Sequence, residues 1–260
     1  TLDELLEKRM HTEILPAVFF TQTPSSDLPS WTRDPRLHFN QEPLAEVPIV
    51  IPETLRIYSH AWTFQAPVID SPRMLDEMLK DLKDEDLDVE TGHYLQSIDE
   101  MKDLAVDLKC DAAINCSGLG AAKLRGDFSL PGARGILHHY DRSTCPQEAL
   151  LMVDEAPIGS QEFPVYLIPR GDIVVVGGSY LPEDTESAIR DEENIMLLNN
   201  AKTLGIDTSV HQPVGHWTGF RPKRPSVCCD LDIHDGFPVA HNYGHGGSGW
   251  TINVGAARHC

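Results

Sequence analysis

Residues 217–226 read WTGFRPKRPS and place three cations, Arg221, Lys223 and Arg224, among two prolines. Arg221 closes an apolar strand end (Trp217, Gly219, Phe220), and Pro222 fixes the backbone behind it. A guanidinium held on a rigid strand end suits bidentate capture of a carboxylate. The competing reading is a set of solvated charges at a turn, the ordinary fate of such a run. Further on, GHGGSG (residues 244–249) follows the strand-like FPVAHN and precedes the helix-like GWTINVGAARHC. That order aims several backbone N–H groups and a helix N-terminus at one place, where an anion or a cofactor could sit. A tight turn with no ligand would use the same glycines for backbone freedom alone.

Other features carry less chemistry. Gly118-Leu119-Gly120 follows the strand-like DAAINC, but Lys123 stands where a dinucleotide fingerprint needs its third glycine. The six cysteines, at 110, 116, 145, 228, 229 and 260, form no CxxC pair and have no matching histidine spacing. They fit neither a structural zinc site nor a disulfide framework and read as buried free thiols, with a reducing compartment favoured. His138, His139 and His216 read as structural, and no metal site is expected.

The chain has 260 residues and a formal charge of −19, which argues against nucleic acid or a membrane surface as partner. No apolar run approaches the length of a membrane span. Much of the acid lies in stretches such as DEMLKDLKDEDLD and EDTESAIRDEEN, read as solvated helix faces.

The elements that must position these residues alternate in texture. AVFFTQ and VPIVIP read as short strands within a Pro- and aromatic-rich start. From about residue 70, Ser71 as N-cap and Pro72 open a helix, LDVET reads as a strand, and Ser97 with Glu100 caps a second helix before DAAINCSG. Residues 134–178 are again β: RGILHHY, ALLMV, PVYLIP and DIVVVGG, the last two joined by a Pro169–Asp172 turn. Residues 187–204 read as one helix, and HQPVGHWTGF, SVCCDLDI and FPVAHN as further strands. The chain begins without Met at helical spacing and ends in a helix start, so it reads as the middle of a protein.

TGFRPKRP followed about twenty residues later by HNYGHGGSGWT resembles the paired C-terminal signature of the D-amino-acid oxidase and D-aspartate oxidase family. The resemblance runs back through VYLIPRGDIVVVGG, ARGILHHY and INCSGLGA to DLPSW near the start. It implies a mixed α/β and α+β fold, in which an incomplete, Rossmann-like FAD-binding part interleaves with a mostly antiparallel β substrate domain. The implied division is 1–69 and 134–220 for the substrate and interface domain, and 70–133 and 221–260 for the FAD-binding domain. In that family an N-terminal GxGxxG also holds the FAD. The chain resembles a member lacking roughly its first 90 residues, the span of such a unit plus linker, and most of its last helix. Alone, it is expected to bind FAD poorly.

The resemblance further implies residue roles. Arg221 pairs with the substrate α-carboxylate, the Tyr166 hydroxyl helps to hold it, and the Gly247 carbonyl meets the amine. Gly246, Gly247, Ser248, Gly249, Trp250 and Thr251 approach the flavin, as do Ser117, Gly118, Arg134 and Gly135. The implied reaction is oxidative deamination of a D-amino acid with FAD and dioxygen, giving peroxide, ammonia and a 2-oxo acid, with no side-chain acid or base. The partners implied are a small-molecule D-amino acid and dioxygen, with neither nucleic acid nor membrane and with a homodimer admitted. The compartment is cytoplasmic or peroxisomal. Two departures stand out: Ile136 replaces the family's Gln after Arg134-Gly135, and Glu162 falls where a second aromatic often lies. Arg170 shares strand parity with Tyr166 but sits at a turn, so it is expected to reach solvent, which leaves neutral D-amino acids favoured. Alternatives are a glycine- or sarcosine-type amine oxidase and a non-catalytic remnant that serves as an interaction module.

Overall fold

The computed structural model describes residues 11–145, 148–160 and 163–260. Its frame is one eleven-stranded sheet in the order β2-β3-β1-β6-β7-β8-β5-β10-β11-β4, with β9 added beside β5. The strands are β1 (Thr12–Thr21), β2 (Asn40–Pro43), β3 (His60–Ile69), β4 (Ala113–Asn115), β5 (Gly132–Asp141) and β6 (Leu150–Val153). They continue with β7 (Val165–Arg170), β8 (Ile173–Gly177), β9 (Leu181–Pro182), β10 (Gly215–His234) and β11 (Phe237–His245). Among the described residues, only β1–β6 and β11–β4 pair in parallel; every other pairing is antiparallel. The mixed α/β architecture with a mostly antiparallel sheet is therefore as expected.

β10 holds the two halves together. Residues 215–222 pair with β5, whereas Lys223 and residues 228–234 pair with β11. The ladder shifts register between Lys223 and Cys228. Pro222 and Pro225 bracket its start and offer no N–H to the ladder, so the strand bends there and changes partner. Two expected strands, HQPVGHWTGF and SVCCDLDI, are thus one 20-residue element.

The core lies on one face of the sheet. Val18 and Phe20 of β1, Leu151 and Val153 of β6, Leu167 of β7 and Val174 and Val176 of β8 pack with Ala201, Leu204 and Ile206. Alternation in these strands sends every second side chain to that core and leaves the other set on the opposite face. Each fully buried aliphatic side chain contributes about 1.5–3 kcal/mol.

The helices are α1 (Ser71–Asp84), α2 (Ile98–Asp107), the single turn α3 (Ala121–Leu124), α4 (Asp191–Thr203) and α5 (Gly249–His259). α1 starts one residue early, with Asp70 at its N-cap position. In α2 the Ser97 hydroxyl accepts the Glu100 N–H at 3.2 Å, as the capping pattern predicts. α4 begins at Asp191 rather than Ser187, because the Glu193 carboxylate accepts the Arg190 N–H at 2.8 Å and fixes the start. The Ala188 carbonyl is meanwhile taken by Arg134. No described helix is long and apolar enough to cross a membrane.

Three expectations fail. LDVET is not a strand: Asp86 and Gly92 have φ of +57° and +85°, so the backbone turns at both ends and finds no neighbouring ladder. VPIVIP is not a strand either, since Pro48 and Pro52 break its donor row and one-turn helices flank it. Finally, of the six thiols only Cys228 is buried; Cys110, Cys116 and Cys260 are exposed, at element ends away from the core. All six are free. β3, absent from the expected elements, pairs along its whole length with β1.

Candidate active site

Opposite the core, three side chains lie flat over three glycines. Tyr166 of β7 stands across from Gly177 of β8. Its ring covers that glycine so closely that a Cβ there would fall 2.2 Å from Cζ. Gly135 of β5 pairs with Gly219 of β10. The Arg221 guanidinium lies over Gly135, with Nη1 2.3 Å from where a Cβ would be, and the Trp217 indole covers Gly219 in the same way. A glycine inside a strand marks such close approach, because any side chain would lift the covering group away.

Tyr166 and Arg221 meet on this floor. Burial raises the Tyr166 phenol above its ordinary pKa, and the facing Arg221 charge partly offsets the rise. Arg221 also points Nη1 at the Ser179 carbonyl, at 3.5 Å. Both residues line a cavity of about 390 Å³ with Tyr180, Lys223, His245 and the loop Gly246–Ser248. Lys223 Nζ sits 4.5 Å above the Tyr180 ring. A cavity walled by a guanidinium, a phenol and a glycine loop is suited to a small anion carrying an amine.

The loop has the form that a cofactor needs. Gly246 adopts φ +57° and its N–H is tied to the Pro222 carbonyl at 2.9 Å, which anchors the loop to the bend in β10. Ser248, Thr251 and Ile252 use their N–H groups within the turn. Those of Gly247, Gly249 and Trp250 have no acceptor among the described residues and lie at the positive end of α5. A Cβ added at Gly246, Gly247 or Gly249 would meet nothing within 4 Å, so the backbone is open to close approach. A second cavity, of about 460 Å³, runs from Gly247, Trp250 and Thr251 past Tyr166 to β3 and β7.

The structure thus gathers Arg221, Tyr166, Gly246, Gly247 and Ser248 around one cavity, with Trp250 and Thr251 in its neighbour and Gly249 between them. Gly135 forms the floor. Ser117 and Gly118 line neither cavity; they sit at the end of β4, where the Ser117 N–H and hydroxyl bond Asn115 Oδ1 at 3.1 and 2.7 Å. The Arg134 guanidinium is not brought to this face. It is fully buried on the core side, bonding Glu193 at 2.6 and 3.0 Å, since neighbours along a strand point oppositely. Glu162 lies outside the described residues.

Arg170 departs from expectation. Rather than standing wholly in solvent at its turn, it is half-buried in the wall of the second cavity, and its Nε has no hydrogen-bond partner among the described residues. His245 and Tyr180 are site residues that sequence reasoning missed. His245 Nε2 is likewise buried, without a partner among the described residues, in the first cavity; its position inside GHGGSG was the available signal. His138 is buried under the sheet beside Asn194 and has no part in either cavity.

The model of the DAO family, described as FAD-dependent oxidoreductase, matches residues 19–260. The chain belongs to the DAO family of FAD-dependent oxidoreductases. A D-amino-acid oxidase from Rubrobacter xylanophilus is 30% identical over 198 residues, covering 75% of this chain and 57% of that protein. One from Dictyostelium discoideum is 27% identical over 194 residues, covering 73% of this chain and 52% of that protein. The DAO-family chain thus spans about half the length of these curated relatives. In fold it is similar to iminodiacetate oxidase from Chelativorans sp. BNC1, with a TM-score of 0.64 at 14% identity, covering 98% of this chain and 74% of that one. The family is FAD-dependent, and the open glycine loop with its free N–H groups fits that cofactor.

Proposed function

We propose that this DAO-family protein performs the oxidative deamination of D-amino acids to 2-oxo acids and ammonia. The reading is carried by one observation: Arg221 and Tyr166 converge over a glycine floor, beside the loop that fits FAD. Bound FAD supplies the chemistry of accepting a hydride from Cα and returning both electrons to dioxygen as peroxide.

The chain's own residues bind and orient. Arg221 neutralises the α-carboxylate, and the Tyr166 hydroxyl donates a second hydrogen bond to it. The Gly247 carbonyl accepts a hydrogen bond from the amine. Fixing carboxylate and amine leaves two directions at Cα, for hydrogen and side chain, and the cavity walls assign them; that assignment is the basis of the selection for D over L. Gly247, Gly249 and Trp250 offer N–H groups to the cofactor. No side chain is required as acid or base, since positioning and charge neutralisation are the protein's share.

Oxygen consumption by the FAD-supplemented protein tests this. D-Alanine is expected to be consumed with peroxide release, and L-alanine, glycine and sarcosine far more slowly. Turnover of glycine or sarcosine above D-alanine would favour the amine-oxidase alternative. No turnover of any of them would remove the oxidase reading.

A further inference from the structure

Of the three side chains that cover the floor glycines, Trp217 has no part in the contacts described so far. It lines neither cavity, and it stays 54% exposed, so burial in a core does not account for its place. The contact it makes is nonetheless close. A Cβ on Gly219 would fall 1.7 Å from Cη2 and 2.2 Å from Cζ3 of the indole. Leu137 stands directly across the ladder from Trp217, and the ring leans along its own strand, over the glycine two residues on.

The place that the indole fills adjoins the guanidinium. Gly219 and Gly135 are directly paired, and Cβ positions on such a pair stand about 5 Å apart on one face. The indole covers the first, and the Arg221 guanidinium covers the second. Arg221 itself stands opposite Ala133, so its side chain crosses diagonally to reach Gly135. Trp217 and Arg221 flank Gly219 on one strand and share its face. An arginine side chain is long enough to fold back along β10 over Gly219, but the indole already occupies that position. The guanidinium instead lies one strand nearer to β8, where the Tyr166 ring rests on Gly177.

We propose that Trp217 is a positioning residue: by filling the place over Gly219, it holds the Arg221 guanidinium over Gly135, so that Arg221 and Tyr166 meet one carboxylate. The inference rests on the D-amino-acid reading, with Arg221 as the α-carboxylate site, and adds to it the residue that sets the arginine's direction.

The test is calorimetric binding of butyrate, an unreactive carboxylate, to the FAD-supplemented protein. Trp217→Ala is expected to weaken butyrate about tenfold, the worth of one hydrogen bond to a charged group. Trp217→Phe keeps a ring over Gly219 and should restore most of the affinity. Gly219→Ala should weaken butyrate too, since its Cβ must lift the indole. In the Trp217→Ala background the same methyl fills part of the vacated place, so the double variant should bind no worse than Trp217→Ala alone. Flavin retention and melting temperature should stay at wild-type values in Trp217→Ala, which separates a lost direction from a disturbed fold. Unchanged butyrate affinity in Trp217→Ala, a loss that phenylalanine does not relieve, or additive losses in the double variant would overturn the proposal. So would a loss that comes with a lowered melting temperature. If instead Arg221→Met left butyrate binding unchanged, the underlying α-carboxylate reading would fail, whatever Trp217 does.

Discussion

The Arg221 guanidinium rests directly on Gly135, with Nη1 2.3 Å from the position a Cβ would take. The group obstructed is the far end of a long side chain, so an alanine at this position displaces the arginine rather than the backbone. Gly135→Ala is therefore expected to keep the fold and to lower kcat/KM by about 100-fold, the scale of an ångström misplacement in a positioned site. Gly177→Ala should act likewise through the Tyr166 ring, which lies 2.2 Å from its Cβ position. Steady-state kinetics and a melting curve on each variant check both. An unchanged kcat/KM would mean that the floor has no functional role.

Removing the guanidinium should be costlier than moving it. Truncating one partner of a buried charge pair costs about 2–5 kcal/mol, so Arg221→Met should lower kcat/KM by roughly 30-fold to several thousand-fold. Tyr166→Phe loses one hydrogen bond to a charged group, about 1.5–3 kcal/mol, and the loss should appear in KM and kcat/KM together. D-Amino-acid kinetics on both variants distinguish these ranks.

Arg134 supports stability. Its side chain is fully buried and held by Glu193, whose carboxyl the Arg134 guanidinium keeps below the usual range. Glu193→Ala leaves a buried cation uncompensated and should cost about 3–5 kcal/mol, measured by denaturant unfolding. A loss below 1 kcal/mol would show that Asp184, 3.5 Å from the guanidinium, suffices.

Acid should loosen the sheet before the carboxylates titrate. Burial lowers the pKa of His138 and His139 from their ordinary 6.5. Both are therefore neutral in the folded chain, while the unfolded chain takes up protons below that value. The stability they contribute is present above pH about 6.5 and lost as pH falls below it toward their lowered folded values. Urea midpoints should decline across that interval, and His138→Gln should flatten the decline. A midpoint constant down to the range of ordinary carboxylates would contradict this.

The site was legible where local pattern and side-chain chemistry coincide. Tyr166 and Arg221 sit on strands whose alternation or proline punctuation is visible, and the Pro169–Asp172 turn forms the hairpin that it suggests. What stayed hidden depended on partners far along the chain. Arg134 and Gly135 are adjacent, yet the choice of face for each follows from Glu193, 59 residues away. Arg170 is half-buried in a cavity wall because β3, the element missed in the sequence, supplies the opposite side. The strand glycines Gly135, Gly177 and Gly219 did carry a signal, since a glycine within a strand marks close approach, but what approaches each is set by tertiary packing.

The proposed function requires that Arg221, Tyr166 and the Gly246–Thr251 loop present a D-amino acid to FAD. The most direct measurement is the visible spectrum of the protein loaded with FAD, mixed without oxygen with D-glutamate, D-alanine or their L-enantiomers. The flavin band is expected to bleach with the D-amino acids alone, and Arg221→Met to retain the flavin but bleach far more slowly. Equal bleaching by both enantiomers, or none by either D-amino acid, would contradict it.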